Sequence, residues 1–267
     1  MLPKSIKSHK SITTDSAIEI IQWPESLLLH SKVLAIQTTR MHPNNHLGVD
    51  PSNYQHFNLG LHVGDCEEKV NKNRRYLQKL LPENTKIQWF EQIHGSDVAQ
   101  VTQVSQSAIV ADAAVTRNKN VCLAIMTADC LPILLVSKSG DEIAAIHGGW
   151  RPLAANIISK TLEKMLTPRA EIYAWLGPCI SKIAFEVGNE VKENFIQQNE
   201  IFNTAFIKQS NGRYLANLQK IAKIQLELSG VKQISFLEEC TYTQTDKYYS
   251  YRKHSTTGRM ASLICIN

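Results

Sequence analysis

The sequence predicts a mixed α+β fold in one domain, with antiparallel or mixed β-sheets packed against helices. Three observations predict it. Apolar runs of strand length outnumber the amphipathic helical segments. Several of those runs follow one another with no helix between them, which favours antiparallel neighbours over the strict alternation of a doubly wound sheet. No Gly-, Pro- or Ser-rich linker divides the 267 residues, a length sufficient for one sizeable core.

The elements follow in order. Residues 1–16 are polar and read as a flexible extension, leaving 17–267 as the domain. Ala17–Trp23 reads as a strand stopped by Pro24, and Ser31–Thr39 as a second. His42–Tyr54 is rich in Asn, Pro, Gly and Asp and reads as a loop. A helix is expected over Cys66–Leu81, with Asp65 as N-cap, Glu67 and Glu68 in the first turn, and Pro82 at its end. Strands are expected at Lys86–Gln92, Val98–Val104, Val121–Thr127, Leu131–Ser137 and Glu142–His147. A helix follows at Pro152–Leu166, a strand at Ile172–Leu176, a loop through "GPCISKIAFEVG", and a short helix in "EVKENFIQQN". "YLANLQKIAKIQLELSG" repeats its apolar residues at helical spacing, and Gly230 is a natural stop. "QISFLEEC" and "RMASLICI" read as the last strands.

Bulk properties exclude several functions. Apolar content of 43% with 20% charged residues fits a soluble globular chain. The net charge of +5 is spread out; the densest basic stretch, Lys69–Arg75, is interleaved with Asn, so nucleic acid is not an expected partner. Met1–Ser16 lacks the apolar core of a secretory signal. Val121–Val136 is too short to span a bilayer and is broken by Thr127–Cys130. Six cysteines without a CxxC pair read as thiols in a reducing compartment. A cytoplasmic protein with no membrane partner is expected.

Three places share a local logic. His94 in "WFEQIHGSDV", Cys130 in "AIMTADCLPILL" and His147 in "AAIHGGWRP" each sit at the end of a strand, two of them beside glycine. Strand ends are where α/β proteins place working side chains. Two imidazoles and a thiolate make a zinc set with one coordination position left open, the arrangement of a catalytic site. Each residue also has a plain structural reading: the histidines as hydrogen-bonded turn residues, the cysteine as a small buried hydrophobe.

The segments "NLGLHVGD", "QIHGSDV", "ADAAVT", "TADCLPILL", "HGGWRPLAANII", "LGPCIS…FEVG" and "CTYTQTDKYYSYRKHSTTGRMA" carry more than spacing. Their order and combination resemble the multicopper polyphenol oxidase (laccase-domain) family, from roughly Ala35 to the end of the chain. The family motifs are Q-x-H-G, T-A-D-C-x-P and H-A-G-W-R-G. The resemblance implies that His94, Cys130 and His147 hold a zinc ion, and it implies a fold like the catalytic domain of cytotoxic necrotizing factor. This sequence departs from the family at Gly148 (usually Ala), Pro152 (usually Gly) and Asn217 (usually Asp). The last change argues against a catalytic charge at that position. The first trims only a methyl, and the second suits a helix start while withholding one backbone donor.

Family members are described as purine nucleoside phosphorylases and as a peptidoglycan editing factor. The resemblance therefore implies a small-molecule nucleoside and phosphate as partners: phosphorolysis of adenosine, inosine, guanosine and methylthioadenosine, with hydrolytic deamination of adenosine. A monomer or homodimer is expected. Cys130, Asp129 and Arg151 are the catalytic candidates, with Glu91 a further carboxylate. Asn58, Arg252 and Arg259 are the substrate-binding candidates, since phosphate calls for guanidinium groups. Trp150, Tyr249 and Tyr251 are aromatics suited to stacking on a purine or to packing in the core. Two other readings use the same residues. One is a Cys–His hydrolase with Cys130 as nucleophile, acting in peptidoglycan precursor editing. The other is copper-dependent polyphenol oxidation with Cu2+ in place of Zn2+, although the chain lacks the repeated H-x-H patterns of multicopper centres.

Overall fold

Strands β8 (Val121–Thr127), β9 (Leu131–Ser137) and β10 (Ile143–Gly148) are buried along their whole length. Both faces of each are covered, and for that reason they read as continuous apolar runs. The structure is a computed structural model and describes residues 17–24, 32–41 and 53–267. Before β8 come β1 (Ile18–Ile20), β2 (Val33–Thr38), α1 (Glu67–Leu80), β3 (Lys86–Gln88), β4 (Phe90–Glu91), β5 (Val98–Gln100), β6 (Ile109–Val110) and β7 (Ala113–Thr116). After β10 come α2 (Trp150–Ala154), α3 (Ile157–Lys164), β11 (Ile172–Leu176), β12 (Glu186–Val187), α4 (Asn189–Ile196), β13 (Phe206–Lys208), β14 (Tyr214–Ala216), α5 (Leu218–Leu228), β15 (Gln233–Phe236) and β16 (Met260–Ile266).

Two mixed sheets dominate. The first has the order β1-β2-β16-β8-β3, antiparallel except for the β3–β8 pair. The second has the order β15-β11-β9-β10-β7-β5, antiparallel in the middle and parallel at both edges. Strand alternation sorts the side chains into three apolar layers. Leu123, Ile125 and Ile264 of the first sheet share the inner layer with Leu134, Val136 and Ala145 of the second. On the outer face of the first sheet, Cys122, Ala124 and Leu263 join Leu77 of α1. On the outer face of the second, Ile133, Leu135, Ala144 and Ile146 join Ile157 and Leu162 of α3 and Ile221 of α5. The result is a four-layer helix–sheet–sheet–helix stack. No helix among the described residues is long and apolar enough to cross a membrane.

Several expectations change in detail. Cys66, not Asp65, occupies the cap position of α1; Asp65 accepts from the Cys66 amide (2.7 Å) and from Asn58 Nδ2 (2.9 Å). The helix expected over Pro152–Leu166 is two helices, α2 and α3, separated by Asn156 at φ 59°. Asparagine is one of the few residues that enters that left-handed region at small cost. Pro152 is the third residue of α2, where its missing N–H would lack a helical partner anyway. The long C-terminal helix begins at Leu218, because Tyr214–Ala216 pairs as β14 with β12 and β13. The strand expected over Val98–Val104 ends at Gln100, and the strand expected over "QISFLEEC" ends at Phe236. "AFEVG", read as loop, contains β12, and the sequence reading did not anticipate β6, β7 or β13. Gly230 ends α5 as expected: at φ 92° it donates to Glu227 O, and Val231 donates to Leu226 O, the paired bonds of a Schellman stop. Residues 1–16 and most of the His42–Tyr54 loop lie outside the described residues.

Candidate metal centre and its cavity

His94, Cys130 and His147 arrive from three segments. His94 lies in the turn after β4, Cys130 ends the β8–β9 turn, and His147 is on β10 opposite Pro132 of β9. Their donor atoms all lie within 4.8 Å of one another. Cys130 Sγ is 3.8 Å from His94 Nε2, and the two imidazole centroids are 4.7 Å apart at 70°. Tetrahedral zinc with N and S ligands at 2.0–2.3 Å places donors about 3.3–3.8 Å apart, so a set spanning at most 4.8 Å would close around such an ion with a shift of about 1 Å. Gly149 makes the approach feasible, since a Cβ there would stand 3.2 Å from Cys130 Sγ and 3.3 Å from His94 Cδ2.

Each segment is fixed by a polar side chain. The Asp112 carboxylate, fully buried just before β7, accepts from His147 Nδ1 (2.7 Å) and from the backbone amides of Ile93 (3.2 Å), His94 (3.0 Å) and Gly95 (2.6 Å). Gln92 pairs its side-chain amide with both backbone groups of Met126, at 2.8 Å each, docking the His94 turn on the end of β8. Asp129, at φ 88°, accepts from Thr241 Oγ1 and from the Arg252 backbone amide, both at 2.6 Å. It thereby ties the Cys130 turn to two C-terminal segments.

The electrostatics follow from this packing. Burial resists ionisation of the Cys130 thiol, but His147 and then His94 outweigh it and bring the thiol down to about 6. Burial likewise opposes a charge on His147, but Cys130 and Asp112 overcome it and raise the imidazole to about 9. Asp112 is held below the ordinary carboxylate value: burial works against this, and His147 and the amides of Gly95 and His94 prevail.

The three donors line a cavity of about 510 Å³. Arg151, Arg252 and Arg259 line it too, as do Trp150, Phe185 and Tyr251. Arg151 lies over the Trp150 ring, 4.5 Å from its centroid. Arg252 donates to Glu186 O (3.2 Å), and Arg259 donates to Thr257 O and Gly258 O (3.0 Å each). Asp129 lines the cavity with both carboxylate oxygens already hydrogen-bonded. Asn58 is not brought to the cavity wall. It is buried behind it, its Oδ1 accepting from the amides of Gly60 and Arg259 (2.9 Å each), so it positions the Arg259 backbone. Glu91 is exposed on β4 and is not among the cavity-lining residues. Tyr249 is a core residue, fully buried.

The sequence reading missed Asp112, His62 and Thr127. The last two line the cavity, and burial followed by Arg259 and Arg74 lowers the His62 pKa. Asp112 did leave a signal. It is a lone carboxylate in the apolar run "IVADAAV", and an acid buried there must find donors.

The sequence profile of the family described as "Multi-copper polyphenol oxidoreductase laccase" matches residues 37–267. The chain belongs to that family. Among its relatives, the purine nucleoside phosphorylase YfiH of Escherichia coli (strain K12) is 39% identical over 249 residues, covering 93% of this chain and 98% of that protein. The purine nucleoside phosphorylase of Haemophilus influenzae is 40% identical over 220 residues, covering 81% and 89%. Among solved structures, Neisseria meningitidis protein NMB0706 superposes with a TM-score of 0.85 at 36% identity, covering 94% of this chain and 99% of that one.

Two departures from the laccase-family motifs now have a structural setting. Asn217 is the N-cap of α5, its Oδ1 accepting from the Lys220 amide at 3.0 Å, a task Asn and Asp perform about equally well. Gly148 is more than a trimmed methyl: a Cβ there would stand 2.7 Å from Leu131 O.

Proposed function

We propose that the protein is a zinc-dependent purine nucleoside phosphorylase, converting adenosine, inosine, guanosine or methylthioadenosine to free base and sugar 1-phosphate. The observation that carries this reading is the His94–Cys130–His147 donor set lining the same cavity as three guanidinium groups. The names of the relatives support the substrate class. Nucleoside and phosphate suffice as partners, with no nucleic acid or membrane, and the protein acts as a monomer or homodimer in the cytoplasm. Zinc, when held by His94, Cys130 and His147, would supply a Lewis acid to the cavity. The chain's own residues do the rest. Arg151, Arg252 and Arg259 offer charged donors to the phosphate. Trp150 and Tyr251 offer ring faces to the purine. Phosphate oxygen bonds to the anomeric carbon, the glycosidic bond breaks with its electron pair leaving on the base, and a proton completes the free purine.

Adenosine deamination is the proposed side reaction. It needs a carboxylate to carry protons, and Asp129 is the carboxylate that lines the cavity. Incubation of adenosine with and without phosphate, followed by chromatography, tests both. Adenine that appears only with phosphate supports phosphorolysis, inosine supports deamination, and neither product rejects the nucleoside reading.

One observation favours a second reading, a Cys–His hydrolase of the peptidoglycan-editing kind: the Cys130 thiol is drawn down to about 6 by its two histidines. Metal content decides between them, because a metal-held thiolate is a poor nucleophile. Protein purified without added metal should carry zinc and lose activity to a chelator. Activity that survives in zinc-free protein would favour the hydrolase, and copper in place of zinc would revive the oxidase reading.

A further inference from the structure

We infer that Asp112 is the positioning residue of the metal centre: one carboxylate selects the ligating nitrogen of His147 and holds the backbone of His94 in its ligating conformation. This rests on the metal-binding reading of the site.

Asp112 Oδ1 lies 2.7 Å from His147 Nδ1 in a buried setting. An ionised carboxylate has no proton to give, so the ring must carry its hydrogen on Nδ1. Nε2 is then the nitrogen left for the metal, which takes the place of any proton there. The same Oδ1 accepts from the His94 amide at 3.0 Å, so one oxygen joins one ligand's ring to the other ligand's backbone. Oδ2 accepts from Ile93 and Gly95 on either side. Three successive amides converging on one acceptor group form a nest, which requires a left-handed residue inside it. His94 supplies that residue at φ 59°. Away from the carboxylate a non-glycine residue has little reason to hold that conformation. The Asp112 carbonyl also accepts from the His147 amide at 2.7 Å, fixing the backbone register between the two.

Asp112→Asn is the informative variant because it keeps the shape and replaces one acceptor with a donor. With the new NH2 toward His147, the ring must switch tautomer and place its proton on Nε2. With the NH2 toward Gly95, it faces an N–H. Either way one arm of the arrangement fails. The experiment measures zinc affinity by competition with a chromogenic chelator, and the visible spectrum of the Co2+-loaded protein. The expected result is zinc affinity lower by about 10–100-fold, the usual cost of losing such a partner, with a native circular dichroism spectrum and an altered Co2+ spectrum. A folded Asp112→Asn protein with native zinc affinity and an unchanged Co2+ spectrum would overturn the inference. Should the variant not fold, 15N signals of the imidazoles in the native zinc-loaded protein decide instead. A His147 proton on Nδ1 supports the inference, and one on Nε2 overturns it. Failure of the underlying metal reading looks different: the native chain itself takes up no zinc, which removes both.

Discussion

Cys130 illustrates how a residue's neighbours set its chemistry. A buried thiol is ordinarily reluctant to ionise, yet two histidines reverse the balance and bring it to about 6. The sign is that of an acid with a lowered pKa, so the thiolate persists at neutral pH and is lost below about 6. Alkylation of Cys130 in metal-free protein, followed by peptide mass analysis, should therefore rise through pH 6 and level off above it; a midpoint at the ordinary thiol value of about 8.5 would contradict this. Cys130→Ser should lose both zinc and nucleoside turnover, read by metal analysis and chromatography, and retention of both would remove the ligand assignment. At this scale the strand-end positions of His94, Cys130 and His147 drew notice, but spacing alone left each with a plain structural reading, and the family motifs gathered them into one set. Asp112 was not singled out, because its meaning depends on a contact with His147, 35 positions away. Asn58 was visible as a motif residue, but only the fold shows that its amide faces the Arg259 backbone.

Elements were legible where periodicity and burial agree. β8 and β9 occupy the expected residues, and β10 is displaced by one, because covered faces on both sides demand unbroken apolar runs. Short strands escaped because β6, β7 and β12–β14 are two to four residues long, too few to establish a period, and they owe their conformation to pairing partners. That pairing also overrides the helical pattern of Tyr214–Ala216. The α5 cap gives a prediction at this scale. Asn217→Ala should cost about 1 kcal/mol in denaturant unfolding, whereas Asn217→Asp should cost nothing and gain a few tenths from the helix dipole. Gly148→Ala restores the residue usual in the family, yet it should destabilise this chain by about 1–3 kcal/mol through contact with Leu131 O. Native stability in that variant would show that β9 yields at no cost.

For the whole molecule, the candidate metal centre lies beside the packed layers and is no part of them. Three apolar layers close without any contribution from the His94–Cys130–His147 cluster. Zinc removal should therefore leave the circular dichroism spectrum unchanged while lowering the melting temperature. At a zinc concentration 100 times Kd the loss is about 2.7 kcal/mol, and at about 2–4 °C per kcal/mol for a domain near this size it amounts to roughly 5–11 °C. Collapse of the secondary structure on chelation would mean that the metal organises the fold. The position of β16 carries a consequence for synthesis. It lies between β2 and β8, in the middle of the first sheet. β2 is made well before β16 and lacks that inner neighbour until residues 260–266 have been made. A nascent chain stalled before Met260 should be open to protease along β2 and β8, and the same segments should become resistant only once β16 can pair with both.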